Sequence, residues 1–182
     1  MVVKEPESNF IPAPAGAHSA VCVDEIDLGY LPNHFDPESD DVLTVRLVWQ
    51  IAEDMKDGKP FLIKKDYRAS LHERAGLRKD LESWRGQPFT SAELVGFDLE
   101  NIVGAPCMLS VIHKTGSKGG TFANVASIMP LPKGMAKLTP RDYVRMKDRP
   151  QDAPKPKAKP QWGNDDRGVV APEGITDDDV PF

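Results

Sequence analysis

The sequence predicts a mainly β module of five strands with a helical segment between the third and the fourth, followed by a disordered C-terminal tail. Three observations predict it. Apolar side chains alternate with period two in several separate stretches. That period gives way to helical spacing once, over residues 70–84. From residue 135 onward proline and lysine replace any apolar pattern. Length agrees, since 182 residues, 40% of them apolar, make one domain of ~100–150 residues with chain to spare.

Residues 17–30 open the module as a strand built on Ala20, Val21, Cys22, Val23 and Ile26. Residues 31–41, with Pro32, Asn33, Pro37 and a crowd of acids, form a loop. Residues 41–51 alternate cleanly. Leu43, Val45, Leu47, Trp49 and Ile51 share one face, and Val42, Thr44, Arg46, Val48 and Gln50 share the other. Asp57-Gly58 suits a hairpin turn. Residues 61–69 make the third strand, with Phe61, Ile63, Lys65, Tyr67 and Ala69 opposite Leu62, Lys64, Asp66 and Arg68. Leu71, Ala75, Leu77, Leu81 and Trp84 then recur at helical spacing. Ser70 and Glu73 stand at capping-box distance, which predicts a helix over residues 70–84, ended near Gly86-Gln87-Pro88. Thr90 and Glu93 repeat the box over a shorter turn. Strands at 104–114 and 121–129 flank a Gly/Lys/Ser turn and complete the set. Five antiparallel strands with a helix in this place are the order of an OB-fold-like barrel. A split α+β sheet has the same element order and stays open as the alternative.

By region, residues 1–13 read as a flexible N-terminal arm and 14–134 as the folded module. Residues 135–173 read as a basic, Pro/Lys-rich linker, and 174–182 as an acidic tip. The run Ala153-Pro154-Lys155-Pro156-Lys157-Ala158-Lys159-Pro160 has no donors at its prolines and nothing to bury, so it should stay extended and solvated. The formal charge of −5 argues by itself against nucleic acid. Its distribution reverses the argument. Residues 24–57 hold 10 acidic and 2 basic side chains, and residues 59–118 hold 10 basic and 7 acidic. A fold that separates these stretches has one cationic side.

No run of ~18 apolar residues predicts a membrane span. The opening residues predict no signal peptide. Cys22 and Cys107 make no disulfide framework, so a reducing cytoplasm is the expected compartment. His18, His34, His72 and His113 lack metal-ligand spacing, and no phosphate-binding loop or nucleophile elbow occurs. No cofactor and no catalysis are expected. Asp24, Glu25 and Asp27 are the nearest thing to a nuclease's carboxylate cluster, and they read better as a solvated strand edge.

The chain printed ends Asp177-Asp178-Asp179-Val180-Pro181-Phe182. A partner could bury the terminal ring and pair the α-carboxylate with a cation, while the acids steer the encounter. This ending closely resembles the acidic C-terminal tip of the single-stranded DNA-binding proteins of bacteria and their phages, with Val180 where Ile is commoner. The layout of β module, Pro-rich linker and tip is similar too. The resemblance implies an OB domain that coats single-stranded DNA, and a tip that recruits replication, recombination and repair proteins. The segments from Tyr67 to Gly86 and Phe97-Asp98-Leu99 are similar instead to small phage-encoded proteins of unclear or DNA-binding role. That likeness spans residues 14–134 and assigns no site.

Single strands need a cationic groove and rings on which bases stack. The candidates are Arg46 and Gln50 on the second strand, and Lys64, Lys65, Tyr67 and Arg68 on the third. Lys114 and Lys118 serve as a phosphate clamp in the last turn, and Phe122 opens the fifth strand. Tyr67 and Phe122 are each as compatible with core as with platform. Trp49 and Trp84 read as core, and Trp162 has no core to join. The expected activity is sequence-independent protection of single-stranded DNA. The alternatives are an adaptor that uses the tip without touching DNA, a strand-annealing recombination mediator and, last, a metal-dependent nuclease. An edge strand leaves room for a homo-oligomer.

Overall fold

The computed structural model describes residues 11–33, 36, 38–116 and 119–150. It is mainly β. Strands β1 (Gly16–Leu31), β2 (Val42–Asp54), β3 (Pro60–Arg68), β4 (Pro106–Thr115) and β5 (Thr121–Met129) form one antiparallel sheet in the order β3-β2-β1-β4-β5. Helix α1 (Gly76–Arg85) and the short α2 (Ser91–Val95) lie between β3 and β4. The sheet curls until its two end strands pack side by side. No hydrogen-bonded ladder joins β3 to β5 among the described residues, so the expected barrel is open along that seam.

Period-two patterning builds the core. Val45, Leu47, Trp49 and Ile51 of β2 meet Phe61, Ile63 and Tyr67 of β3, Leu109 and Val111 of β4, and Val125 and Ile128 of β5. Helix α1 closes one end with Leu77, Leu81 and Trp84. Trp84 packs 6.1 Å from Trp49 and donates its indole N–H to the Pro106 carbonyl at 2.9 Å, so neither large ring is left with solvent-facing surface to stack on a ligand.

Three sequence expectations need correction. The helix begins at Gly76, not at residue 70. Ser70 does not cap it; its hydroxyl accepts from the His72 N–H at 3.2 Å in a local turn. Residues 72–74 are all charged or polar and bring no apolar side chain to the core, so a tight turn wins there. Thr90 and Glu93 do form their capping box. Next, residues 11–13 are not a loose arm: Ala13 is buried in the core, and its carbonyl accepts from His113 Nε2 at 2.8 Å.

The third correction concerns residues 135–149, which do not read as linker in the structure. They form a strap across the outer face of β1 and β2. A bulge in β1 at Val23 creates the dock. Strict alternation would send Asp24 into the core beside Cys22. The bulge pairs Asp24 with Val48 instead, which puts the carboxylate on the outer face next to Val21, Val23 and Val48. Leu138 and Tyr143 cover those valines. Asp24 is 1% exposed and accepts from the Tyr143 hydroxyl (2.8 Å), Arg145 Nε (3.1 Å) and the Met146 N–H (2.8 Å). It is a buried, saturated acceptor and not a solvated edge. Arg145 also forks onto Glu100, which Lys147 joins at 3.0 Å.

Candidate functional site

Alternation and register decide which cations meet. With Val45 and Leu47 inward, Arg46 points out from β2; with Ile63 and Tyr67 inward, Lys64 and Asp66 point out from β3. Register sets Arg46 opposite Asp66 and Val48 opposite Lys64. On the other side of the open seam, Ile112 and Lys114 are exposed on β4, and Asn124 and Ala126 line β5. The result is a groove of about 690 Å³ lined by Arg46, Lys64 and Lys114, with Lys65 reaching its edge from the opposite face of β3. These are four of the predicted residues, drawn from three strands.

Their charges are not equivalent. Arg46 makes a bidentate pair with Asp66 at 2.6 and 2.7 Å, and that hydrogen bond holds its guanidinium proton more tightly than usual. Lys65 reaches Asp80 of α1 at 2.6 Å. Lys64 and Lys114 are exposed, with no ion-pair partner among the described residues. The groove thus holds two cations balanced by fold carboxylates and two left to solvent.

Phe122 belongs with Lys114. Cross-strand register pairs the two, so ring and ammonium share a face at the hairpin end. The ring is 50% exposed and lies against the turn. A Cβ on Gly116 would come 2.7 Å from the ring's Cε2, and one on Gly120 would come within 3.3 Å. Glycine at these two positions is what lets the ring settle over the turn backbone.

The remaining predicted residues lie elsewhere. Gln50 is 1% exposed beneath the strap, where its amide donates to the Arg141 carbonyl at 2.6 Å and accepts from the Arg141 N–H at 2.7 Å. A saturated, covered amide offers nothing to a ligand. Tyr67 is 5% exposed in the core and donates its hydroxyl to Asp80 at 2.7 Å. Burial first, and then that hydrogen bond, push its ionisation far above the ordinary tyrosine range. Arg68 points outward beyond Asp66 and lines the neighbouring hollow. Lys118, Trp162 and the tip residues Asp177, Asp178, Asp179, Val180, Pro181 and Phe182 lie outside the described residues.

Sequence reasoning missed Asn124 and Ala126 as groove walls, because nothing local says that β5 lies beside β3. It also missed that Asp66 engages Arg46; their faces were legible but their register was not. Both cysteines are buried, and burial pushes the Cys22 thiol up to about 12, which leaves it inert as a nucleophile. Among the described residues no group of three His, Cys, Asp or Glu side chains converges as metal ligands, and no helix is long and apolar enough to cross a membrane.

With this geometry in hand, the chain can be set against known proteins. No protein-family model matches it, and no curated protein matches it.

Proposed function

We propose that the module is OB-like and binds single-stranded DNA without sequence preference in the groove across the β3–β5 seam. One observation carries the reading: an open groove on a curled five-stranded sheet gathers Arg46, Lys64, Lys65 and Lys114, with Phe122 beside Lys114. OB-folds are partly open barrels that bind on the face of their second and third strands, between two loops. Here Arg46, Lys64 and Lys65 come from those strands, and Lys114 and Phe122 flank the last turn. Lys64 and Lys114 contact phosphates, and Phe122 stacks on a base. Arg46 and Lys65, already paired, shape the wall and add little net attraction.

In this reading the tip recruits replication, recombination or repair proteins, as its resemblance to phage and bacterial single-stranded DNA-binding proteins implies, and the protein acts in the cytoplasm, that of the host if it is phage-encoded. No catalysis is assigned to it.

The test is fluorescence anisotropy of labelled oligo-dT at low salt. The label must sit on the DNA, because Trp49 and Trp84 are buried in the core and report poorly on the groove. The expected result is micromolar or tighter binding that weakens with salt, at a slope of about −0.7 per phosphate contacted. No binding at micromolar protein overturns the reading and leaves the adaptor. Degradation of the oligonucleotide with Mg²⁺ or Mn²⁺ would overturn the non-catalytic part.

A further inference from the structure

The groove does not end at Asp66. That residue also lines a second hollow of about 670 Å³, bounded by Arg68, His72, Arg74, Leu31 and Val42. The second hollow in turn shares Arg68, Ser70, Val42 and Asn33 with a third, of about 610 Å³, which carries Tyr30. The three hollows are therefore neighbours in a row, each sharing side chains with the next.

We infer that the second hollow is a phosphodiester subsite which continues the single strand out of the groove. This rests on the proposed DNA-binding reading and extends it to residues no motif marks. Arg68, His72 and Arg74 are all exposed and come from the end of β3 and the turn that follows. Neither arginine has an ion-pair partner among the described residues. The hollow's acid, Asp66, is already held by both nitrogens of the Arg46 fork. The turn itself is fixed. Ser70 Oγ accepts from the His72 N–H at 3.2 Å, and the Ala75 N–H donates to the His72 carbonyl at 2.8 Å. His72 Nδ1 accepts from the Arg74 N–H at 3.3 Å, which places the ring proton on Nε2 as a donor. The turn's own acid, Glu73, does not line the hollow, so two guanidinium groups and an imidazole donor face it beside one carboxylate that is already paired, which suits an anion.

The row of hollows selects a strand over a small anion. A free phosphate would need a pocket of its own, whereas this hollow has a neighbouring hollow on each side. At its far side the surface changes character. Tyr30, 69% exposed, stands beside Leu43 as a stacking ring, and Asp36, Asp40 and Asp41 line the same hollow. Those acids repel a phosphate backbone, so they set where the strand leaves. The path runs from Phe122 and Lys114 past Lys64 to Arg68 and Arg74, and its last base rests on Tyr30.

The experiment measures affinity for labelled oligo-dT of increasing length, with the full chain and with the double variant Arg68→Ala/Arg74→Ala. Both arginines are exposed, and a thermal melt that matches the unaltered protein checks the fold. For the unaltered chain, affinity should rise with length in two steps, one for the groove and one for the second hollow. The double variant should lose the second step, binding long oligonucleotides about tenfold or more weakly. Its salt slope should fall in magnitude by about 1.4 for two lost phosphates, with short oligonucleotides unaffected. Equal affinity and slope at every length would overturn the subsite while the groove reading survives. Binding of no oligonucleotide by the unaltered chain overturns both. Saturable binding of inorganic phosphate, lost in the double variant, would overturn the strand in favour of a small-anion site.

Discussion

Arg46 and Gln50 lie on the same face of β2, yet they belong to opposite kinds of surface. Around Gln50, under the strap, three basic side chains are engaged by fold carboxylates. Arg141 pairs with Asp54, Arg145 with Asp24 and Glu100, and Lys147 with Glu100. Toward the seam beyond Arg46, Lys64, Lys114, Arg68 and Arg74 have no such partners among the described residues. Basic composition alone does not tell the two apart. A cation that meets a fold carboxylate holds structure together, and one left in solvent beside an open groove is available to a polyanion.

The largest effect should come from the strap side. Asp24→Ala takes the acceptor from the Tyr143 hydroxyl and the Met146 N–H and one of the two carboxylates Arg145 holds, and should cost about 3–5 kcal/mol, as breaking a buried charge network does. Chemical denaturation measures it. If Asp24→Ala melts like Lys64→Ala, whose exposed site predicts a change within about 0.5 kcal/mol, the two surfaces do not differ as described. Next comes Lys64→Ala/Lys114→Ala. Stability should hold, while oligo-dT affinity falls by up to about a hundredfold at 50 mM salt, with a slope smaller by about 1.4. Phe122→Ala should cost about 1–3 kcal/mol of binding for one lost base stack, again without unfolding, and anisotropy titration reads both. A Phe122 effect on stability alone would move the ring from the groove to the turn.

The smallest effect is a pH dependence confined to the strap. Hydrogen bonds from Arg145 and then Lys147 hold Glu100 down to about 2. A depressed carboxylate contributes stability fully above its unfolded value near 4.5 and loses it as pH falls toward 2. Protection factors for hydrogen exchange at residues 143–147 should therefore stay high at pH 5 and fall progressively below about 4. Protection that is flat down to pH 2 would remove Glu100 from the strap's anchoring.

The strands were legible because their side chains alternate against a core, and alternation is local. Leu77, Leu81 and Trp84 marked the helix for the same reason, but its start was misplaced, because Ser70 serves a turn and a cap equally well by spacing. The groove's cations were legible as outward positions on β2, β3 and β4. That they meet was not, because it depends on curl and on the neighbouring of β3 and β5. The strap was the hardest to see. Arg141, Tyr143 and Arg145 sit among prolines and lysines with no apolar period, and only a bulge at Val23 tells that Asp24 waits for them. Gln50 was misjudged through the same blind spot: a polar residue on an outer face looks available until something covers it.

The strap also bears on the order in which this chain can finish folding as it is made. Asp24 finds its partners 119, 121 and 122 residues further along. Synthesis runs from the N-terminus, and domains fold as their segments emerge. When all five strands have left the ribosome, the bulge in β1 is already formed and its carboxylate is still without the groups that satisfy it. The sheet must wait, nearly complete, for Met146. Until that residue arrives, the nascent module carries a charged gap in its own surface, and a stop anywhere between residues 130 and 145 leaves that gap permanent.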